Sequence, residues 1–112
     1  MKNCFALFIG FCLCLSACGL QKEYPEAMQQ AIRCLDTNPD SARFYLASIS
    51  SNIPEEPEET RMYHALLTLR AEDKLYVRQT SDSLIKSIVT YYNKQGDTAK
   101  RLEAYYMLGR IY

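Results

Sequence analysis

The sequence predicts an all-α fold of about five helices, packed as antiparallel hairpins downstream of a short apolar leader. Three observations predict it. From Tyr24 onward apolar residues recur at intervals of three and four, the period of a helix with one buried face. Proline, glycine and capping residues cut that pattern into segments joined by short turns. No segment alternates apolar and polar residues over a useful length, so no sheet is expected. At 112 residues the chain suits one domain and is too short for two.

In the first helix Met28, Ala31, Ile32 and Leu35 stand at i, i+3, i+4 and i+7. It stops at Asn38-Pro39, because a residue before proline is pushed out of the α region. Pro39 opens a second helix at its favoured first position, with Asp40 and Ser41 in the first turn. Ala42, Tyr45, Leu46 and Ile49 form its apolar row. Ser50 to Glu59 holds two prolines and four glutamates and reads as a loop. Its last residues, Glu58 and Glu59, complement the positive end of a third helix. Four neighbouring carboxylates raise the question of a divalent cation. Their spacing fits no calcium-loop template, and a solvated acidic loop is the simpler reading.

The third helix carries Met62, Ala65, Leu66 and Leu69 and runs toward Tyr76. Thr80 or Ser81 caps a fourth, with Asp82 in its first turn. Leu84, Ile85, Ile88, Val89 and Tyr92 are its stripe. Lys94-Gln95-Gly96-Asp97 ends it, with Gly96 suited to the left-handed C-terminal conformation. Thr98 caps a fifth helix through Leu102, Tyr105, Leu108 and Tyr112.

Charge and cysteine placement narrow the function classes. The 13 basic and 13 acidic residues cancel; without residues 1–17, which hold Lys2 alone, they become 12 and 13. Such a chain offers no clustered basic face for nucleic acid. Nor has it a Lys/Arg-dense helix face to lie on anionic lipid. Cys4, Cys12 and Cys14 fall in the leader and Cys18 at its end, leaving Cys34 alone downstream. With Cys18 modified, a disulfide framework is excluded, and Cys34 is expected as a small buried hydrophobe.

The leader reads as an export signal: Lys2, the apolar run Phe5 to Leu15, then Ser16 and Ala17. The run is too short for a spanning helix, which needs about 20 residues. Leu15-Ser16-Ala17-Cys18 resembles the lipobox of bacterial lipoproteins, an aliphatic residue and two small ones before a cysteine. The alternative is an ordinary signal peptide that happens to end near a cysteine. The resemblance implies a signal peptide over 1–17, a lipidated linker over 18–23 and a helical domain over 24–112. It implies that Cys18 carries a thioether-linked diacylglycerol and an N-acyl chain, enough for stable anchoring where one chain is marginal. Gly19 stands where an aspartate could signal inner-membrane retention, which favours the outer membrane for a periplasm-facing protein. Leu20-Gln21-Lys22-Glu23 also lacks the dense acidic run that could mark surface export.

Tyr105-x2-Leu108-Gly109-x2-Tyr112 resembles the first helix of a tetratricopeptide repeat. Ala27-x3-Ala31-x2-Cys34-x4-Pro39 resembles the second helix of such a repeat. Between them the chain departs from the 34-residue pattern, since the third and fourth helices lack the Gly-Tyr signature. Asn38-Pro39-Asp40-Ser41-Ala42, Asp82-Ser83-Leu84-Ile85 and the segment from Ala104 to Tyr112 are similar to the opening region of bacterial repeat lipoproteins. Those are usually longer, and the last helix has no second helix after it. The expectation is therefore an incomplete domain, the N-terminal part of a longer protein.

The resemblance implies an α-solenoid of helix hairpins. In it Tyr105 packs inside, Gly109 permits close approach of a partner helix, and Glu103, Tyr106 and Arg110 line a concave face. Tyrosine and arginine are enriched at binding hot spots. Equally, Tyr106 could pack against a helix beyond Tyr112. In each of the pairs Tyr91-Tyr92 and Tyr105-Tyr106 one ring should face the core.

His64 is the only histidine, with no Cys or His partner at ligand spacing. There is no phosphate loop and no nucleophile elbow. No catalytic, metal or cofactor residue is assigned, and an enzyme is not expected. The reading is a lipid-anchored interaction scaffold for a protein or peptide partner that the sequence does not name. The alternative is a glycan-binding outer-membrane lipoprotein on the same frame. That would need exposed aromatic platforms, and beyond the leader the chain has no Trp and only Phe44 as phenylalanine.

Overall fold

The computed structural model describes residues 24–112; the expected export signal over 1–17, Cys18 and the expected linker to residue 23 lie outside the described residues. Within 24–112 the all-α expectation holds. The elements are α1 (Glu26–Cys34), α2 (Pro39–Ser48), a 3-10 turn (Ile53–Glu55), α3 (Glu58–Lys74), α4 (Ser83–Lys94) and α5 (Thr98–Ile111). No strand occurs among the described residues. No helix among them is long and apolar enough to cross a membrane.

The helix ends follow local chemistry, with three corrections to the expected caps. Asn38 caps α2 as the Asn-Pro signal requires, its Oδ1 accepting from the Ser41 N–H at 3.2 Å. Asp97, not Thr98, caps α5, its Oδ1 accepting from the Lys100 N–H at 3.1 Å. Asp82, rather than Thr80 or Ser81, precedes α4, and Ser81 Oγ accepts from the Ser83 N–H at 3.2 Å. A carboxylate at either position also suits the positive end of the helix. The left-handed helix end is not at Gly96, since no described glycine has a positive φ. It lies at Tyr76, φ 62°, after α3. There the Val77 N–H reaches the Glu72 carbonyl at 2.9 Å and the Tyr76 N–H reaches Asp73 at 3.0 Å, a Schellman end.

Contacts at the two ends of α3 fix the helix directions. Tyr24, just ahead of α1, meets Glu59 in the first turn of α3 and Lys100 in the first turn of α5. At the other end Lys74 pairs with Asp36, just past α1, at 3.1 Å, and Asp73 pairs with Arg110 of α5 at 3.2 Å. So α1, α3 and α5 point the same way. α2 and α4 return antiparallel, α2 packed on α1 and α3, and α4 on α3 and α5.

As the middle helix, α3 buries Tyr63, Leu66, Leu67, Leu69 and Ala71, more than one face. A single stripe of Met62, Ala65, Leu66 and Leu69 is therefore too narrow a description, and Met62 and Ala65 are only half-buried. Ser50 to Glu59 is also more ordered than a solvated loop. It holds the 3-10 turn with Ile53 buried, and α3 has begun by Glu58.

The largest departure concerns α5. Its buried residues are Ala104 and Met107, with Leu108 and Ile111 half-buried, whereas Leu102, Tyr105 and Tyr112 are exposed. The helix is rotated relative to the expected stripe because Ala104 and Met107 face α3 and α4, small and unbranched side chains that suit close packing. Ile32 and Leu84 are exposed likewise, and Cys34 is half-buried rather than buried.

Candidate functional site

Glu59 is a buried carboxylate on which side chains from ahead of α1, from α4 and from α5 converge. Only 7 % exposed, it accepts the Tyr24 hydroxyl at Oε1 and the Tyr92 hydroxyl at Oε2, the latter at 2.7 Å. Lys100 Nζ lies 3.6 Å from Oε2 and 3.4 Å from Asp97, and donates to the Tyr24 hydroxyl. The same ammonium sits 4.8 Å from the Tyr24 ring centroid and 4.3 Å from that of Tyr63. The two rings lie 5.2 Å apart. The buried Glu59 charge thus faces an ammonium and both its oxygens are bonded, the condition under which buried ionic groups are tolerated. The second carboxylate, Asp97, is partly exposed to solvent.

This environment holds the phenols neutral. Burial, then the bond and charge of Glu59, raises the pKa values of Tyr24 and Tyr92 well above the ordinary phenol range. Burial pushes Tyr63 up to about 12. Beside the cluster a cleft of about 420 Å³ is lined by Tyr24, Glu59, Tyr92, Gly96, Asp97 and Lys100 among others. Among the described residues no group of acidic, His and Cys side chains could hold a metal ion.

The residues expected on the binding face lie together on α5 but are differently employed. Glu103 pairs with Arg70 of α3 at 3.2 Å, and its Oε2 is buried without a hydrogen-bond partner among the described residues. Burial raises its pKa, against the lowering effect of Arg70. Arg110 forks onto Asp73 through Nε and Nη2 at 3.2–3.3 Å. Tyr106 is 63 % exposed over a shallow hollow of about 60 Å³ bordered by Arg70, Asp73, Lys74 and Met107. Of the three, only Tyr106 makes none of the side-chain bonds that tie its neighbours to α3.

The repeat-signature residues divide. Ala31 is buried, while Ala27, Cys34, Pro39 and Leu108 are half-buried. Tyr105, expected inside, is 45 % exposed and donates to Asn93 Oδ1 at 2.9 Å. Tyr112 donates to Asp82 Oδ2 at 2.6 Å from an exposed position. A Cβ added at Gly109 would meet nothing within 4 Å, so no close helix approach uses it among the described residues. Of the tyrosine pairs, Tyr92 is buried against a half-buried Tyr91, whereas Tyr105 and Tyr106 both face outward. His64 Nε2 is bonded to the Leu46 carbonyl at 2.9 Å, joining α3 to α2.

Glu59 was missed because the run from Glu55 to Glu59 looks like a solvated loop. The signal present was its helical spacing: residues 59, 63, 66 and 70 share one face with two core residues. Against known proteins the chain matches no family model, no curated protein and no solved structure.

Proposed function

We propose that this chain is a membrane-anchored lipoprotein whose tetratricopeptide-like hairpins serve as a protein-interaction scaffold. The anchor rests on Leu15-Ser16-Ala17-Cys18 and the apolar leader before it. The hairpin reading is supported by three parallel helices, α1, α3 and α5, with α2 and α4 as the antiparallel returns.

The observation that carries the interaction role is the surface of α5. Leu102, Tyr105 and Tyr106 of α5 and Tyr112 just past its end are all exposed, with Gly109 open among them. Contiguous apolar and aromatic exposure of this kind marks contact surfaces, and tyrosine is a favoured anchor residue. Periplasm-facing orientation, with the outer membrane favoured, follows from Gly19 and the linker composition.

The test is site-specific photo-crosslinking in bacterial cells that carry the full chain. A crosslinker at position 106 should give a discrete protein adduct, and one at Arg43, exposed on α2, should not. Adducts at both positions or at neither would remove the assignment to α5. Saturable oligosaccharide binding without an adduct would favour the glycan reading.

A further inference from the structure

Tyr24 occupies a position that nothing in the repeat reading accounts for. It lies directly before Pro25, the N-cap of α1. Yet its contacts are with α3 and α5: Glu59, Tyr63 and Lys100, the last 76 residues away. α1 itself touches α2 and α3 but not α5. The path from Tyr24 to Lys100 therefore bypasses both helices of the first hairpin. Gln29 Nε2 steadies it by donating to the Tyr24 carbonyl at 2.8 Å.

We propose that Tyr24 is a strap that links the start of α1 to the first turn of α5, so that seating or lifting this one residue tightens or loosens α5. Tyr24 is half-buried and is held by its hydroxyl, one ring face and the bond from Gln29 to its carbonyl. When it lifts, Glu59 keeps Tyr92 and Lys100, so the core is not left with a bare charge. Lys100, however, loses the phenol that it bonds and one of its two aromatic faces. Lys100 then keeps Asp97, Glu59 and the Tyr63 ring.

The consequence for the membrane rests on the lipid-anchor reading. With Cys18 in a bilayer, Tyr24 stands six residues along the chain from the anchored residue, ahead of α1. The exposed face of α5 would then respond to how the domain stands relative to its anchor. Coupling of this kind needs a two-state element that both sites bias, and the seated or lifted Tyr24 is that element.

Hydrogen exchange on the chain as the cell processes it tests the strap, with Tyr24→Phe and Tyr24→Ala as variants. Exchange of the amides from Arg101 to Ala104 should rise at least tenfold in Tyr24→Ala and by a smaller factor in Tyr24→Phe. The core amides of Leu66 and Leu67 serve as the measure of global stability. Exchange that changes only within α1, or that rises equally at Leu66 and Leu67 in both variants, would overturn the strap. Repeating the series in Cys18→Ser separates the two ideas. An effect that persists there keeps the strap whether or not Cys18 is lipidated. An intact protein showing identical α5 exchange on and off vesicles would remove the coupling to the anchor.

Discussion

Tyr92, buried near the end of α4, donates its hydroxyl to Glu59 in the first turn of α3 at 2.7 Å, an antiparallel cross-tie inside the core. The same carboxylate takes Tyr24 on its other oxygen and faces Lys100. Substituting Glu59 by Ala strands the buried Tyr92 hydroxyl and leaves Lys100 to Asp97 and the Tyr24 hydroxyl, and should cost about 3 kcal/mol. Tyr92→Phe removes one bond to a charged acceptor and should cost about 1.5–3 kcal/mol. Urea denaturation of both single variants and the double variant measures this, and the double should cost less than the sum.

Alkaline stability should fall earlier than in a domain with exposed phenols. Tyr63 and Tyr92 are held neutral in the fold, with Tyr63 up to about 12, while the unfolded chain ionises near 10. Their contribution is complete below pH 10 and is lost as pH rises from 10 toward the folded values. Over that window each should remove up to about 1.4 kcal/mol per pH unit. Tyrosinate absorbance followed alongside circular dichroism checks it: their ionisation should coincide with unfolding.

Tyr76 combines φ 62° with 92 % exposure, so its ring contributes little packing at a backbone conformation unfavourable to a side chain. Tyr76→Gly should stabilise the domain by roughly 0.5–1 kcal/mol, after allowing for the greater entropy of glycine when unfolded. Thermal denaturation reads this directly.

Gly109 sits in the last turns of α5 with open space where a Cβ would stand. Gly109→Ala should raise stability by about 0.5 kcal/mol through helix propensity. A loss of stability instead would mean that another helix covers this position in the folded protein.

Most helices were legible because their cores follow a simple spacing. Met28-Ala31-Leu35, Ala42-Leu46 and Ile85-Ile88-Tyr92 are buried as the period requires, and Asn38-Pro39 marks its boundary plainly. α5 was misjudged because its outward row, Leu102, Tyr105 and Tyr112, is more apolar than its inward one. The inward row mixes Ala104 and Met107 with Lys100 and Glu103, whose charges are cancelled by partners on α3 and the cap before α5. Such pairing is set by tertiary contact and leaves no periodic mark. Glu59 was hidden for the same reason, since its partners come from positions 24, 92 and 100.

The anchor is the claim on which both the membrane attachment and the coupling of the strap to the bilayer depend. The most direct measurement is the intact mass of the protein recovered from a bacterial membrane fraction. The account predicts a chain beginning at Cys18, with residues 1–17 removed and the mass of a diacylglycerol and an acyl chain added. In Cys18→Ser that added mass should vanish and the protein should leave the membrane. An unmodified Cys18 thiol on a chain recovered in the soluble fraction would contradict it.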